Sequence, residues 1–334
     1  MKKLRTFDLY LIPLFFVSIT AATLRTVALL TSFNSVTMHF DDKVAITIAN
    51  VLIALTVIGF GSYLFLGEKE RELIAKSGNA SSYIPAGIMG IALLFMGAQC
   101  FGMAFSNRYQ GILPTLGLLC GILAFLSAGS FFLSVFIEKN EHAHKAIFSL
   151  FIVFFLALYS VILFFNREYH PTNSPNKTVD QFAYVAAALF FLYDSRIYLN
   201  RAKWRGYVTF GLIATLLCSY SAIPSLIVYL ANGYVVSDSL FESLLTLAIA
   251  VFTCSKVLQF ASLTPADECD AAKSIGALAM MRQDEIEEQR KNLHEQTNNI
   301  KEEDDDAIDA SNYTFDIPEI ETTTDFSIDS IDSN

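Results

Sequence analysis

Five ionisable side chains lie inside otherwise apolar stretches of this 334-residue chain: Arg25, Asp194, Arg196, Glu242 and Lys256. A charge at the centre of a bilayer costs about 2.5 kcal/mol or more, so such residues pair, reach for the headgroups or serve a function. Depth along the apolar stretches limits who can meet whom. Arg25 sits some five residues before the end of its stretch, and Glu242 and Asp180 open theirs, which predicts Arg25 paired with Glu242 or Asp180. Asp194 and Lys256 sit at matching depths before the opposite ends of their stretches and predict a second pair. Two readings are open: a translocation or signalling path, or ion pairs that staple helices while Arg196 and Lys256 extend to the headgroups.

The segment CSYSAIPS gathers Ser219, Tyr220, Ser221, Pro224 and Ser225. Proline removes one helical hydrogen bond and kinks the helix, and the freed carbonyl needs a partner where water is absent. The expected ligand-binding set is therefore Arg25, Asp194, Tyr220, Pro224, Glu242 and Lys256, with Asn50 and Gln99 as further polar contributors. The same proline serves equally as a shape element of the helix.

Other chemistry is sparse. Glu141, His142 and His144 in one loop and His39, Asp41 and Asp42 in another fall short of three or four convergent metal ligands, so no metal or cofactor is expected. The five cysteines, Cys100, Cys120, Cys218, Cys254 and Cys269, have no paired spacing and read as packing residues. H-E-x-x-H, G-x-S-x-G, the P-loop and G-x-G-x-x-G are all missing, which disfavours an enzyme.

The elements that must position these residues follow from composition. Apolar residues make up 53% of the chain and charged ones 17%, and the apolar residues run in blocks instead of at helical or strand periods. Roughly 20 apolar residues span a hydrocarbon core as a helix. Eight segments qualify: Leu9 to Leu30, Val44 to Leu66, Tyr83 to Phe105, Gly111 to Ile137, Ala146 to Phe165, Val179 to Leu199, Gly206 to Ala231 and Leu240 to Ser262. The expected fold is an all-α polytopic membrane helix bundle with eight transmembrane helices. MKKLR before the first block resembles a signal peptide, but that block exceeds twenty residues without a small-residue cleavage site and is read as a permanent helix.

Lys and Arg concentrate in cytoplasmic loops. The amino terminus and the even loops hold eleven and the odd loops four, which places both termini inside and agrees with an even count of spans. Spans one to four and five to eight correspond faintly, through SYLFLGEKER and SRIYLNRAKWR, as a 4+4 parallel repeat would. Gly117 and Gly121 form a Gly-x-x-x-Gly motif that predicts close packing of spans three and four.

The net charge of −10 divides unevenly: residues 1–262 carry +5 and residues 263–334 carry −15. Three regions follow: a transmembrane domain over 1–262, a juxtamembrane cytosolic helix over 263–300, and an acidic tail over 301–334 that is disordered by composition. Isolated Ile, Phe and Tyr among the acids of that tail suit docking to a cytosolic protein, or the tail only solvates. Nucleic acid is disfavoured because the tail repels phosphate.

The stretch LFFLYDSRIYLNRAKWRGYVTFGLIATLLCSYSAIPSLIVYLANG and the stretch LRTVALLTSFNSVTMHFDDK together resemble segments of an uncharacterised family of polytopic membrane proteins from anaerobic Gram-positive bacteria. The resemblance implies a bacterial cytoplasmic membrane and brings no activity or functional residue with it. The leading expectation is a non-enzymatic sensor or scaffold whose acidic cytosolic tail binds a partner. The alternative is a small-molecule transporter with a site near Pro224 and the Asp194/Lys256 pair.

Overall fold

The computed structural model describes residues 8–34, 39–66, 83–106, 111–136, 142–166, 175–198, 203–233 and 239–262. The expected juxtamembrane helix and the acidic tail lie outside these residues, as does Glu141 of the loop EKNEHAHK. Helix accounts for 92% of the described positions. The helices are α1 Asp8–Thr31, α2 Val44–Gly61, the single turn α3 Tyr63–Leu66, α4 Tyr83–Phe105, α5 Leu113–Phe136, α6 His142–Phe165, α7 Pro175–Tyr198, α8 Trp204–Asn232 and α9 Leu240–Ser262. A two-residue antiparallel pairing of β1 Phe33–Asn34 with β2 His39–Phe40 joins α1 to α2. Its rings pack with Leu29, Ile46 and Val228, covering the ends of α1, α2 and α8.

Six helices are long and apolar enough to cross a membrane: Leu9–Thr31, Val44–Phe65, Tyr83–Phe105, Leu113–Leu133, Trp204–Asn232 and Leu240–Phe260. The chain is a membrane protein. The other two long helices differ for a local reason. For α6 the apolar segment found among the described residues is Ser149–Phe165, and α7 carries Lys177, Asp180, Asp194 and Arg196. Outward positions are apolar, with Phe16 and Ile58 each 71% exposed, as lipid contact requires.

Helix ends follow the chemistry of their residues. Pro85, Pro114 and Pro175 fall in the first turns of α4, α5 and α7, where no backbone N–H is owed to the helix. For this reason α7 begins a turn earlier than the apolar pattern indicates. Gly233, at φ 71°, takes the left-handed conformation that closes α8, and its N–H donates to the Tyr229 carbonyl at 2.8 Å. The expected second span is interrupted at Ser62, whose hydroxyl donates to the Gly59 carbonyl at 2.6 Å and pairs with Tyr10 at 3.1 Å. Thr26, Ser127, Thr215, Thr246 and Thr253 likewise turn their hydroxyls back to carbonyls of their own helices. Such bonds satisfy a hydroxyl without water.

In the packing, α4 lies on α5, α5 on α6, α6 on α7, α7 on α8, α8 on α9 and α9 back on α4, a closed ring; the pair α1–α2 leans on α8. Within the ring α8 is deeply buried, 18 of its 29 residues lying against α1, α7, α9 and the other helices it touches. The expected α4–α5 hairpin is the most extensive interface, and the Gly-x-x-x-Gly motif explains it: a Cβ on Gly117 would come 3.1 Å from the Cys100 carbonyl oxygen, and one on Gly121 3.1 Å from the Phe101 ring. The two halves pack differently, since α7 lies along α8 while their counterparts α2 and α4 form no comparable interface. The packing gives the 4+4 repeat no support.

Candidate functional site

Two buried polar groups lie at different depths of the same helices. The first is near the end where α1 and α8 finish and α7 and α9 begin. Its centre is Arg25 on α1, 1% exposed. Pro224 has no N–H to give the carbonyl four residues earlier, which belongs to Tyr220. Arg25 Nη1 donates to that carbonyl at 3.3 Å, and Arg25 Nη2 donates to Asn176 Oδ1 of α7 at 3.0 Å. The guanidinium lies 4.7 Å from the centre of the Tyr220 ring, in cation–π contact, and the Tyr220 hydroxyl donates to Asn50 Oδ1 of α2 at 2.7 Å.

Asp180, one turn beyond Asn176 on α7, accepts a hydrogen bond from the Ser221 hydroxyl of α8 and is held by the charge of Arg25. A further turn along, the Tyr184 hydroxyl lies 2.8 Å from Thr246 Oγ1 and 3.4 Å from Glu242 Oε1, both on α9. Tyr184 has one proton and two acceptors within reach. Glu242 is 1% exposed, and its backbone N–H is capped by Ser239 Oγ at 3.1 Å. The predicted contact of Gln99 falls here too, as an acceptor for the Ser239 hydroxyl.

The second group lies toward the other end of α7 and α9. Asp194 is buried, and the charge of Lys256 acts on it across the interface. The Lys256 ammonium also lies 5.5 Å from the centre of the Phe252 ring. Arg196 is half-buried, with its guanidinium 5.4 Å from the centre of the Tyr193 ring.

One register generates both levels. Tyr184 and Thr246 are 62 residues apart, and so are Asp180 and Glu242, and Asp194 and Lys256. The helices α7 and α9 therefore run parallel and in step. Fourteen residues separate the two charged positions on each helix, close to four turns, so both face the seam about 21 Å apart. Between the levels Phe131 of α5, Phe191 of α7 and Phe252 of α9 meet with ring centres 5.3 to 6.0 Å apart. They form an aromatic plug.

Of the expected ligand set, Arg25, Tyr220, Pro224 and Glu242 belong to the first group and Asp194 and Lys256 to the second. Depth matching paired Asp194 with Lys256, and Arg25 with either Glu242 or Asp180; in the structure Lys256 is an electrostatic neighbour of Asp194 and Arg25 of Asp180. Ser221 was named with Tyr220 and Pro224 in CSYSAIPS, whereas Asn176, Tyr184 and Thr246 were not singled out for this site from sequence. The signal for two of them was the spacing Asn176, Asp180, Tyr184, one residue per turn on one face of α7. Lys177 was counted as a loop charge; its Nζ instead donates to the Asn166 and Phe164 carbonyls at 2.7 and 3.3 Å, closing the end of α6. Among the described residues no group of three His, Cys, Asp or Glu could hold a metal ion. A separate groove of about 390 Å³ between α6 and α7 is lined mainly by exposed Val161, Phe164, Phe165, Phe182 and Val185, a lipid-facing surface and not part of either polar group.

No protein-family model, no curated protein and no solved structure matches the chain.

Proposed function

We propose that this chain is a non-enzymatic transporter that moves a small polar solute across a bacterial cytoplasmic membrane, crossing it eight times with both termini in the cytosol. The observation that carries the reading is the seam of α7 and α9: two levels of buried charge, in step, separated by the plug of Phe131, Phe191 and Phe252. Buried charge in a bilayer is costly, and helix stapling needs one such pair, not two levels closed off from each other by aromatic rings. A site that opens to one side at a time needs both levels and a barrier between them.

The eight crossings rest on α6 and α7. Each has 24 residues, about 36 Å of rise and enough for the hydrocarbon core. The charges of α7 turn inward, with Lys177, Asp180 and Asp194 all buried. The orientation rests on eleven basic residues against four.

Solute currents across proteoliposomes on a solid support, recorded over a panel of amino acids, nucleobases, sugars and organic acids, test the reading. Expected is flux of at least one compound, reduced by Asp194→Asn and by Lys256→Ala in variants that still melt cooperatively. Currents equal to those of protein-free vesicles across the panel would sink it.

The reading in which the tail binds a cytosolic protein is favoured by the −15 charge of residues 263–334 and their scattered Ile, Phe and Tyr. Deleting residues 301–334 then removes a crosslinked partner recovered from native membranes. Unchanged recovery rejects it.

A further inference from the structure

The groove between α6 and α7, about 390 Å³ in volume, is an apolar trough with polar side chains set into its wall. Exposed Phe164 of α6 faces exposed Phe182 and Val185 of α7 across it, and Ser160, Thr178 and Gln181 line it with them. Two of the three polar groups are accounted for. The Ser160 hydroxyl donates to the Leu156 carbonyl of its own helix at 2.8 Å, and Thr178 is engaged as well. Among the described residues the Gln181 carboxamide has no hydrogen-bond partner. An amide facing hydrocarbon needs an acceptor for its N–H groups, since no water is there to provide one. The wall offers none, so the acceptor belongs to whatever fills the trough.

Depth narrows what that is. Gln181 lies six residues beyond Pro175, where α7 begins, about 9 Å along the axis. A 24-residue helix rises about 36 Å against a hydrocarbon core of about 30 Å, so α7 centred in the core puts Gln181 about 6 Å below the boundary. Helical side chains lean toward the amino end of their helix, which here is the nearer boundary. The carboxamide therefore reaches toward the layer that holds the ester carbonyls of glycerolipids, and an ester carbonyl is an acceptor without charge. The lining suits a neutral group, because no ionisable side chain among the described residues belongs to it. Lys177, the nearest base on α7, is turned to the Asn166 and Phe164 carbonyls. Below Gln181 the trough continues between Phe164, Phe182 and Val185, so that from Thr178 to Val185 it follows about 10 Å of α7. A single acyl chain has the form and the chemistry to lie there.

We propose that this groove seats one acyl chain of a bilayer glycerolipid, the Gln181 carboxamide donating to the ester carbonyl of that chain. The inference rests on the crossing of the membrane by α6 and α7 and not on transport. It makes the site selective for the ester linkage and indifferent to the headgroup, since the contact is made below the headgroup layer.

The test places the full-length chain in nanodiscs of equal parts ester-linked and ether-linked phosphatidylcholine with the same chains, extracts it in mild detergent and counts the retained lipid by mass spectrometry. About one ester-linked lipid per chain should remain, in roughly three- to tenfold excess over the ether, the worth of one net hydrogen bond. Gln181→Leu should remove the preference, and Val185→Trp, filling the trough from an exposed position, should remove the bound lipid. A cooperative melt of each variant shows that it folds. Equal retention of the two lipids, no retained lipid, or a preference that survives Gln181→Leu would overturn the inference. A dimer that carries no lipid would give the groove to a second copy of the chain and overturn it too. The crossing is read separately: with the single Trp204 replaced by Phe, Phe182→Trp should be quenched by lipids brominated on their acyl chains. Quenching without an ester preference leaves the crossing and removes the lipid site; absence of quenching removes both.

Discussion

Arg25 Nη1 donates to the carbonyl oxygen of Tyr220 at 3.3 Å, and that carbonyl is the one Pro224 leaves without its helical donor. A break in α8 is thus repaired by a side chain from α1, 195 residues away in sequence. The charge and the missing helical bond are a single feature, because either alone would leave a buried polar group unsatisfied.

Non-additivity tests this directly. Arg25→Met should destabilise the fold by about 1–3 kcal/mol, since the Tyr220 carbonyl and Asn176 Oδ1 both lose their donor. Pro224→Ala returns an N–H to that carbonyl. Added to Arg25→Met, it should recover roughly 1–2 kcal/mol, whereas in the native background the new N–H only competes with Arg25. Denaturant titration in mild detergent of the four proteins of the cycle measures the coupling. Simple additivity would mean that Arg25 and Pro224 act separately.

Glycines in the bundle separate into two kinds. A Cβ on Gly211 of α8 would lie 2.5 Å from Val257 Cγ2 and 3.2 Å from the Phe190 ring, whereas one on Gly59 of α2 has nothing within 4 Å. Gly211→Leu should therefore cost at least about 1–3 kcal/mol through displacement of α9 from α8. Gly59→Ala, in a helix interior, should stabilise by about 0.5–1 kcal/mol. Melting curves of the two variants in one detergent compare them; equal Tm values would contradict the packing of α8 on α9.

The Lys177 ammonium closes α6 by donating to Asn166 and Phe164 carbonyls. Lys177→Met keeps most of the volume and removes the donors, and should cost about 1–2 kcal/mol. Amide hydrogen exchange at the end of α6 and the start of α7 should rise in that variant while α4 and α5 keep their protection. Exchange raised evenly over the bundle would assign Lys177 a global role instead.

Much of this fold was legible because lipid removes alternatives. A backbone with no water to bond must be helical, so each apolar block of about 20 residues announced its helix, and α4 and α9 begin and end at Tyr83, Phe105, Leu240 and Ser262 as the pattern predicts. Polar and proline residues altered the details: a turn at Ser62 divides the helical run of the second span, which still reaches Phe65, and Pro175 starts α7 inside what looked like loop. Depth alone paired Asp194 with Lys256. It could not reveal Asn176, Tyr184 or Thr246, because those depend on which face of α7 meets α9, and strongly apolar helices carry little amphipathic signal to say so. The constant 62-residue offset appears only once the two helices lie side by side.

Orientation gives the last prediction, and it is the least expensive to test. In the orientation we propose from the basic residues, the connection between α8 and α9 lies outside, opposite both termini. Cys100, Cys120 and Cys218 are buried, while Cys254 is only half-buried and Cys269 lies outside the described residues, so a background with all five replaced removes their reactivity. In that background Ser237→Cys should react with an impermeant maleimide on intact cells, whereas a cysteine at Lys3 or Asn334 should react only after the membrane is opened. The reverse pattern would invert the bundle and place the Arg25 group toward the cytosol. Reactivity of Lys3→Cys and Asn334→Cys from opposite sides would show an odd number of crossings. In that event one of α6 and α7 would lie outside the bilayer, and the two levels of charge could not both be buried across it.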